Sequence, residues 1–304
     1  MISPRVSICM ITYNHEGWIR QAIESVLCQD LGDLEIVVGD DASTDDTLAI
    51  VNDLAAQDAR VRPLPTAQNL GGKKNFARTF DACRGEFLCA LDGDDFFTNP
   101  AKLSTQVRML EEHPEFSGCF SKAHHVGPDG VSLGERNHPY PHKASYTKED
   151  FARYCLCDSS SMMSRRGLFG KLPPLFYDAP QGDWPLHMLN ALHGDIGYVP
   201  EPMSAYRVHP GGVWSKRSET AKIATNLECQ RQFLIHLPQD VVRAIHPSIA
   251  RSVWGQVTLA MRDHQLEQLN VLLNWMDENC AGMVKAKTKA KVRQFLQVAR
   301  WEGH

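Results

Sequence analysis

No stretch of this chain approaches the roughly 20 apolar residues that a membrane-spanning helix needs, and its nine cysteines include no Cys-x-x-Cys pair. The first absence leaves surface attachment as the one membrane role to consider. The second, with Cys155 and Cys157 flanking a single residue and an odd total, reads as small core residues kept in a reducing compartment, the cytoplasm. Neither sign of charge is in excess: 32 Lys and Arg against 36 Asp and Glu give a net charge of −4, which supplies no overall attraction to nucleic acid. There is no internal repeat, no low-complexity tract and no leader-like start, since Met1 is followed at once by Pro4, Arg5 and a strand-like run. What remains is the profile of an ordinary globular protein, 43% hydrophobic and 22% charged. Its 304 residues suffice for one large domain or for a domain with a smaller appendage.

The most informative stretch is Phe87-Leu88-Cys89-Ala90-Leu91-Asp92-Gly93-Asp94-Asp95, a short apolar run that ends in three carboxylates. Carboxylates crowded at the tip of a buried strand repel one another. One reading places a divalent cation there, joining protein carboxylate to the diphosphate of a nucleotide, because Mg²⁺ and Mn²⁺ favour one or two carboxylates plus phosphate oxygens. The other is an Asp-Gly turn before a helix, with solvated acids. A calcium EF-hand loop is excluded: counting from Asp92, position 6 is Phe97 where glycine is needed, and position 12 is Leu103 where glutamate is needed.

The surroundings favour the first reading. Val6–Ile11 reads as a buried strand, followed by the loop Thr12–Gly17 and a helix over 18–29. A second strand over 34–38 leads into Asp40–Asp46, where Ser43 or Thr44 is placed to cap a helix over 47–56. A third strand over 61–64, the turn Asn69-Leu70-Gly71-Gly72 and a helix over about 74–83 precede the acidic strand. This alternation implies a mainly parallel sheet covered by helices on both faces, an α/β fold whose ligands bind beyond the carboxyl ends of the strands. Three polar loops fall at such ends, and caps alone would not place acids at two of them.

Beyond the acidic tip a helix over 102–112 and a strand over 116–126 are expected, then a long polar and aromatic functional loop over 131–148. Ser159–Ser164 reads as a short strand, Gln181-Gly182-Asp183-Trp184 opens a helix through His193, and 196–199 and 203–208 read as two strands. From Ser218 the pattern changes to long helices over 220–237, 240–262, 266–279 and 284–300. The last has six basic and no acidic residues between Lys285 and Arg300. It is suited either to an anionic membrane surface or to a core or dimer contact with a solvated basic side.

Several of these motifs together resemble the family 2 inverting glycosyltransferases of the GT-A fold, in a subgroup of bacterial surface-polysaccharide enzymes. Val6–Asn14 resembles their first strand and nucleotide loop. Asp40-Asp41-Ala42-Ser43-Thr44-Asp45 is similar to their Asp-Asp-Gly-Ser-Thr-Asp signature, with Ala42 in place of glycine. Asn69-Leu70-Gly71, Asn75, Arg78 and Gly85-Glu86-Phe87 keep the family spacing up to Asp92-Gly93-Asp94. Gly182-Asp183-Trp184, Tyr206-Arg207-Val208-His209 and Gly211-Gly212-Val213-Trp214-Ser215 resemble the later half of the catalytic domain. The resemblance covers residues 5–217 and implies a GT-A catalytic domain over 1–217, with 218–304 as a C-terminal helical region for oligomerisation, acceptor binding or membrane-surface contact.

The family resemblance implies transfer of a hexosyl or N-acetylhexosaminyl group from a nucleotide-sugar, usually a UDP-sugar, by in-line displacement with inversion. Asp94 and His209 are implied as ligands of Mn²⁺ or Mg²⁺, with Asp92 on the ribose or a metal water beside Gly93. Asp183 is implied as the general base, although many relatives carry Glu-Asp there and an Asp at a helix start is also an ordinary cap. Thr12, Tyr13 and Glu16 would line base and ribose, Asp40 or Asp41 would accept from the uracil imide, and Asn69 and Arg78 would reach base or phosphates. Read from the residues alone, Tyr13 is equally a rim aromatic, and Arg78 a helix residue pairing with Asp81. The Gly211-Gly212 hinge with Trp214 and Ser215 suggests a loop closing on the diphosphate. The expected acceptor is a glycan, lipid-linked or protein hydroxyl, met at the inner face of the membrane, with a homo-oligomer as a further option and no nucleic-acid partner. Single additions are expected because no span is available to export a polymer. Two other readings stand beside this one. A sugar-nucleotide nucleotidyltransferase needs a Gly-rich loop after the first strand, where this chain has Thr12-Tyr13-Asn14-His15-Glu16. A non-catalytic nucleotide or glycan-binding module would not need Asp92, Asp94, Asp183 and His209 together.

Overall fold

The computed structural model describes residues 3–135, 143–263, 265–280, 290 and 292–293. The expected basic helix over 284–300 lies outside them but for those last three positions. Along the chain run β1 (Val6–Thr12), α1 (Ile19–Leu27), β2 (Leu34–Asp40), α2 (Thr47–Gln57), β3 (Val61–Pro65), α3 (Gly72–Ala82), β4 (Phe87–Asp92), β5 (Phe96–Phe97), α4 (Lys102–Glu112) and β6 (Phe116–Val126). They are followed by β7 (Ser132–Glu135), β8 (Ser145–Tyr146), α5 (Lys148–Arg153), β9 (Met162–Arg165), α6 (Pro174–Asp178), α7 (Asp183–Ala191), β10 (Asp195–Arg207), α8 (Glu219–His236), α9 (Gln239–Arg262) and α10 (Leu266–Asn279).

All seven residues of β2 are buried, as are six of seven in β1. Such continuous apolar runs are what a strand covered on both faces requires. The sheet order is β3-β2-β1-β4-β9-β6-β10-β5. β1 pairs in parallel with β2 and β4, β2 with β3, and β6 with β10. Only β9 interrupts the run, antiparallel to both β4 and β6. Two reversals restore direction, so β6 and β10 point the same way as β1, β2 and β4. The carboxyl ends of all five open on one edge of the sheet. The register sets Thr12 opposite Asp40 and Ile11 opposite Asp92, which places the three polar loops side by side.

Helices cover both faces. Ile8, Ile36, Leu91, Ile23, Val51 and Leu103 join β1, β2 and β4 to α1, α2 and α4 in one apolar cluster. On the other face α3 lies hard against β2: a β-carbon at Gly39 would stand 1.9 Å from Thr79 Oγ1, and Asn75 Nδ2 donates to the Gly39 carbonyl at 2.7 Å. A second cluster runs from Phe120 and Phe151 through Trp184 and Met188 to Phe233, Val253 and Leu272. The helices after Ser218 therefore share a core with β6, α5 and α7.

Four local expectations are corrected. The strands expected over 196–199 and 203–208 are one strand, β10, because register shifts between Val199, Pro202 and Ser204 absorb the prolines without ending the pairing with β6. Neither Ser43 nor Thr44 caps α2. Asp45 Oδ1 accepts from Thr47 N at 3.0 Å, and Ser43 Oγ accepts from Asn14 N at 3.0 Å. The expected loop over 131–148 contains β7, paired with β6, and β8, paired with β10; residues 136–142 of it lie outside the described residues. The strand expected over Ser159–Ser164 begins with a 3-10 turn, Ser159–Ser161, and becomes extended at Met162.

At the opposite edge Glu35 ties three strands and a loop together. Its side chain is 4% exposed, it accepts from Ser7 Oγ at 2.6 Å, and it receives the Arg84 backbone N–H and guanidinium as well as Arg62. Burial alone would raise this carboxyl, but the hydrogen bonds from Ser7, Arg84 and Arg62 outweigh it and hold the pKa below the usual glutamate value. Glu35→Gln is expected to cost about 1–3 kcal/mol at neutral pH, the scale for removing a buried hydrogen-bond partner. Because the folded-state pKa is depressed, the wild-type advantage is full at neutral pH. It shrinks below about pH 4.3 and vanishes as pH falls through the folded-state value. Urea denaturation of both proteins at neutral and acid pH measures the difference; an advantage unchanged at acid pH contradicts the assignment.

Candidate active site

The loops after β1 and β2 are laced together main chain to side chain. Asn14 N donates to Ser43 Oγ, and Thr44 N donates to Asn14 Oδ1 at 2.8 Å. His15 N donates to Thr47 Oγ1 at 2.8 Å, Glu16 N to Asp45 Oδ2 at 3.1 Å, and Asp46 N to Glu16 Oε2 at 3.0 Å. Asn14 and Ala42 both carry positive φ, 55° and 59°. Glu16 thus faces the Asp46 amide, while Tyr13 stands 43% exposed at the rim.

The two carboxylates that end β2 are unlike each other. Asp41 is fully engaged, one oxygen accepting from Leu70 N at 2.8 Å and the other from Gly71 N at 2.9 Å. Asp40 Oδ2 accepts from Ser43 N, but its Oδ1 is buried without a partner among the described residues, as is Thr12 Oγ1 on the neighbouring strand. Arg78 lies behind them. It donates to the Asp40 carbonyl at 2.7 Å, to Asn75 Oδ1 at 2.9 Å and to the Pro65 carbonyl at 3.3 Å. Asn69 Nδ2 donates to the Asp41 carbonyl at 3.1 Å and so belongs to the turn that Asp41 anchors.

The tip of β4 concentrates negative charge. Burial, then Asp94, then Asp183 push Asp92 up to about 7. Burial, with Asp94 and Asp92, raises Asp95 well above the carboxylate range even though it accepts from Arg207 N at 2.8 Å. Arg207, at the end of β10 and 2% exposed, holds this tip. Its Nε donates to the Asp94 carbonyl at 2.8 Å, its Nη1 to the Gly127 and Pro128 carbonyls, and its Nη2 to Gln21 Oε1. The guanidinium also stands 5.7 Å from the Trp18 ring and 5.3 Å from that of Phe96.

His209, two residues on, places Nε2 3.0 Å from Asp94 Oδ2. His15 Nε2 lies 3.9 Å from the same oxygen. Trp18 stands beside both imidazoles, with ring centroids 4.5 Å from His209 and 6.0 Å from His15. Asp183 begins α7: its Oδ1 accepts from Trp184 N, and Cys155 Sγ approaches its Oδ2 at 3.8 Å. Trp184 itself is buried in the core with Nε1 donating to the Phe151 carbonyl, so its face is not presented to a ligand. After His209 the chain folds back, Gly212 N donating to the His209 carbonyl at 3.0 Å. Ser215 Oγ lies against Gly212, and Trp214 is partly buried beside it.

Residues 7–169 match glycosyl transferase family 2. The chain belongs to that family. It is 34% identical over 215 residues to an uncharacterized protein of Mycobacterium tuberculosis, a match covering 69% of this chain and 60% of that protein, so it spans less than two thirds of this relative. Among solved structures it is similar to TarS of S. aureus in complex with UDP-GlcNAc, with TM-score 0.66, 17% identity, and coverage of 97% of this chain and 88% of that one. It is also similar to the mannosyltransferase PcManGT from Pyrobaculum calidifontis in complex with GDP-Man and Mn²⁺, with TM-score 0.63, 15% identity, and coverage of 99% and 87%. At these identities the likeness is one of fold, and the fold is the GT-A architecture expected from the sequence. Asp183 and His209 both lie beyond the residues that match the family.

Among the described residues no three His, Cys, Asp or Glu side chains form a ready metal cluster. The donors gathered at Asp94 nonetheless fit a divalent ion. Carboxylate oxygen and imidazole nitrogen suit Mn²⁺. The 3.0 Å between Asp94 Oδ2 and His209 Nε2 equals the separation of adjacent ligand atoms, about 3.0 Å, on an octahedral ion with bonds of about 2.1 Å. Arg207, Trp18 and His15 were not assigned roles from the sequence. For His15 the signal was available: it sits in the polar loop at the carboxyl end of β1. Arg207 and Trp18 gain their roles only through contacts across the sheet edge.

The left-handed backbone at Ala42 gives a direct test of how firmly the laced loops are held. A residue with a β-carbon at such φ costs about 1–2 kcal/mol, part of which the freer unfolded glycine chain offsets. Ala42→Gly is expected to stabilise the fold by roughly 0.5–1 kcal/mol in chemical denaturation. A loss of stability would show that residue 42 is not held at positive φ.

Proposed function

We propose that this chain is an inverting, metal-dependent glycosyltransferase that moves a sugar from a nucleotide-sugar, a UDP-sugar, to a hydroxyl acceptor in the synthesis of a bacterial polysaccharide or glycoconjugate. One observation carries the reading: His209 Nε2 lies 3.0 Å from Asp94 Oδ2 at the carboxyl ends of β10 and β4. This pair of metal-ligating groups stands beyond the strand ends, where open α/β sheets bind ligands. Similarity to structures holding UDP-GlcNAc and GDP-Man with Mn²⁺ supports the substrate class.

The donor's base fits between β1 and β2. Among the described residues Asp40 Oδ1 and Thr12 Oγ1 are two buried polar atoms left without partners at these strand ends, and a uracil imide N–H would satisfy the first. Asp40 takes this role rather than Asp41, whose two oxygens are already used. Tyr13, at the rim, would cover base or ribose. Glu16, Asn69 and Arg78 act on the nucleotide through the loops and strand end that they fix. Asp94 and His209 would hold the divalent ion, with Asp92 beside them. When bound, that ion supplies charge stabilisation for the departing diphosphate.

Asp183 accepts the proton of the acceptor hydroxyl as its oxygen attacks the anomeric carbon. Acting as a base and not as a nucleophile, Asp183 supports direct displacement with inversion. The turn from Gly211 to Ser215, tied to His209, covers the diphosphate side and limits water. No helix among the described residues is long and apolar enough to cross a membrane. The Gln-x-x-Arg-Trp spacing of processive synthases does occur, as Gln297-Val298-Ala299-Arg300-Trp301, outside the described residues. Product length therefore separates single from repeated addition.

Calorimetry with a panel of nucleoside diphosphates tests donor recognition. UDP is expected to bind more tightly with Mn²⁺ than without, and Asp94→Ala is expected to lose the metal-dependent part. Binding of no nucleotide with or without metal would overturn the proposal. For the base, Asp183→Asn is expected to keep donor affinity and lower turnover by about 10²–10⁴. Transfer at the wild-type rate by that folded variant would remove Asp183 from the mechanism.

A further inference from the structure

We propose that His15 is a third protein ligand of the divalent ion held by Asp94 and His209, so that the ends of β1, β4 and β10 each contribute one donor. The inference rests on the metal-dependent reading above and adds to it a residue and a metal preference.

The geometry converges on one atom. His209 Nε2 is 3.0 Å from Asp94 Oδ2, a hydrogen-bond distance, and His15 Nε2 is aimed at the same oxygen from 3.9 Å, too far for a hydrogen bond. On an octahedral ion with bonds of about 2.1 Å, ligand atoms stand about 3.0 Å apart when adjacent and about 4.2 Å apart when opposite. The first matches adjacent ligands, and the second falls about 0.3 Å short of opposite ones, so His15 must shift by about that much to ligate. An ion seated between the three side chains replaces one existing contact and needs little rearrangement of the third.

His15 is also held in place. Its N–H donates to Thr47 Oγ1, and its carbonyl accepts from Trp18 N at 2.9 Å and Ile19 N at 2.8 Å. The ring is 19% exposed and packs edge-on to Trp18. Gly93 allows the tip of β4 to reach it: a β-carbon there would stand 3.0 Å from His15 Nδ1 and 2.7 Å from Thr12 Oγ1. The main-chain bonds fix the backbone that carries the ring, while the ring's own Nδ1 is buried without a partner among the described residues. The Trp18 ring stands beside both imidazoles, 6.0 Å from that of His15 and 4.5 Å from that of His209.

Two imidazoles and a carboxylate have a chemical consequence. Nitrogen donors favour Mn²⁺ over Mg²⁺, which prefers an all-oxygen shell. The site is therefore expected to select Mn²⁺, and His15 to supply part of that selection.

The test uses the full chain with UDP and Mn²⁺. Pulsed electron paramagnetic resonance of protein labelled with ¹⁵N-histidine should show two coupled imidazole nitrogens in wild type and one in His15→Gln. Calorimetry should show Mn²⁺ affinity falling roughly tenfold or more in His15→Gln and in His15→Ala, with Mg²⁺ affinity changing less and metal-free UDP affinity unchanged. A single coupled nitrogen in wild type, or wild-type Mn²⁺ affinity in both variants, overturns the inference. An equal loss of metal-free UDP affinity would make His15 a diphosphate contact and overturns it as well. Asp94→Ala and His209→Ala separate the two levels. If they abolish Mn²⁺ binding while His15 variants do not, only the third ligand fails; if they leave Mn²⁺ binding intact, the metal-dependent reading fails with it.

Discussion

Three acidic residues around one glycine at the end of a buried strand are a standing electrostatic problem, and most of this site is arranged around it. Asp92, Asp94 and Asp95 stand close enough that Asp94 raises both of the others, and an unpaired buried charge is costly. Arg207 answers from the far side of the sheet with five hydrogen bonds, two of them to the Asp94 carbonyl and the Asp95 carboxylate. It fixes the backbone of the tip, gives Asp95 a main-chain N–H, and leaves all three carboxylates without a hydrogen bond from its guanidinium. The negative charge left over is what a divalent cation can balance, which a diphosphate would then share. The same arginine stacks near Trp18 and grips the turn at Gly127 and Pro128, so the tip of β4, the start of α1 and the end of β6 cannot shift independently.

The nucleotide side is organised by the opposite means, through the removal of freedom rather than the placement of charge. Two loops with residues at positive φ are crossed by five side-chain hydrogen bonds to main chain. This lacing uses the polar side chains of Asn14, Ser43, Asp45, Glu16 and Thr47, and it leaves Asp40 Oδ1 and Thr12 Oγ1 unmatched in the middle. Buried polar atoms without partners are uncommon, so a ligand that donates to one of them gains more than the same group would on an open surface. Preorganisation of this kind lets binding proceed without ordering the loops first.

Much of this is legible in the sequence. Continuous apolar runs and helical periods place β1 to β4 and α1 to α4 within a few residues, and polar loops at strand ends mark the site's edge through the residue pattern alone. The Asp-x-Asp tip is legible in company: alone it reads equally as an Asp-Gly turn with solvated acids, and the polar loops at the neighbouring strand ends decide between the two. What escapes the sequence depends on contacts between distant segments. Arg207 is one arginine among many until β10 is seen to lie beside β5 and to run parallel to β6. Asp40 and Asp41 are indistinguishable as neighbours in sequence, yet one side chain turns toward Gly71 and the other toward Thr12's strand. The prolines of β10 read as a break, whereas pairing with β6 carries the strand through them by shifts of register.

The same dependence on distant contacts governs the base. Asp183 stands at the first position of α7, and from Trp184 onward every residue of that helix is buried. A helix buried on all sides takes its position from everything packed around it. Trp184 meets Phe233 of α8 edge-on at 5.5 Å and donates to the Phe151 carbonyl of α5. Gln181, just before Asp183, is bonded to Asn226 of α8 at 2.8 Å. These contacts reach into the helices after Ser218, which have no share in the strand–helix alternation and lie beyond the family match. The proposed metal end of the site is therefore set by the sheet and Arg207, whereas the proposed base end is set by the helical core. The distance between them, on which an in-line displacement depends, is a property of how well those two parts pack together. If Asp183 acts as proposed, that packing lets α8 and the helices behind it influence catalysis through position.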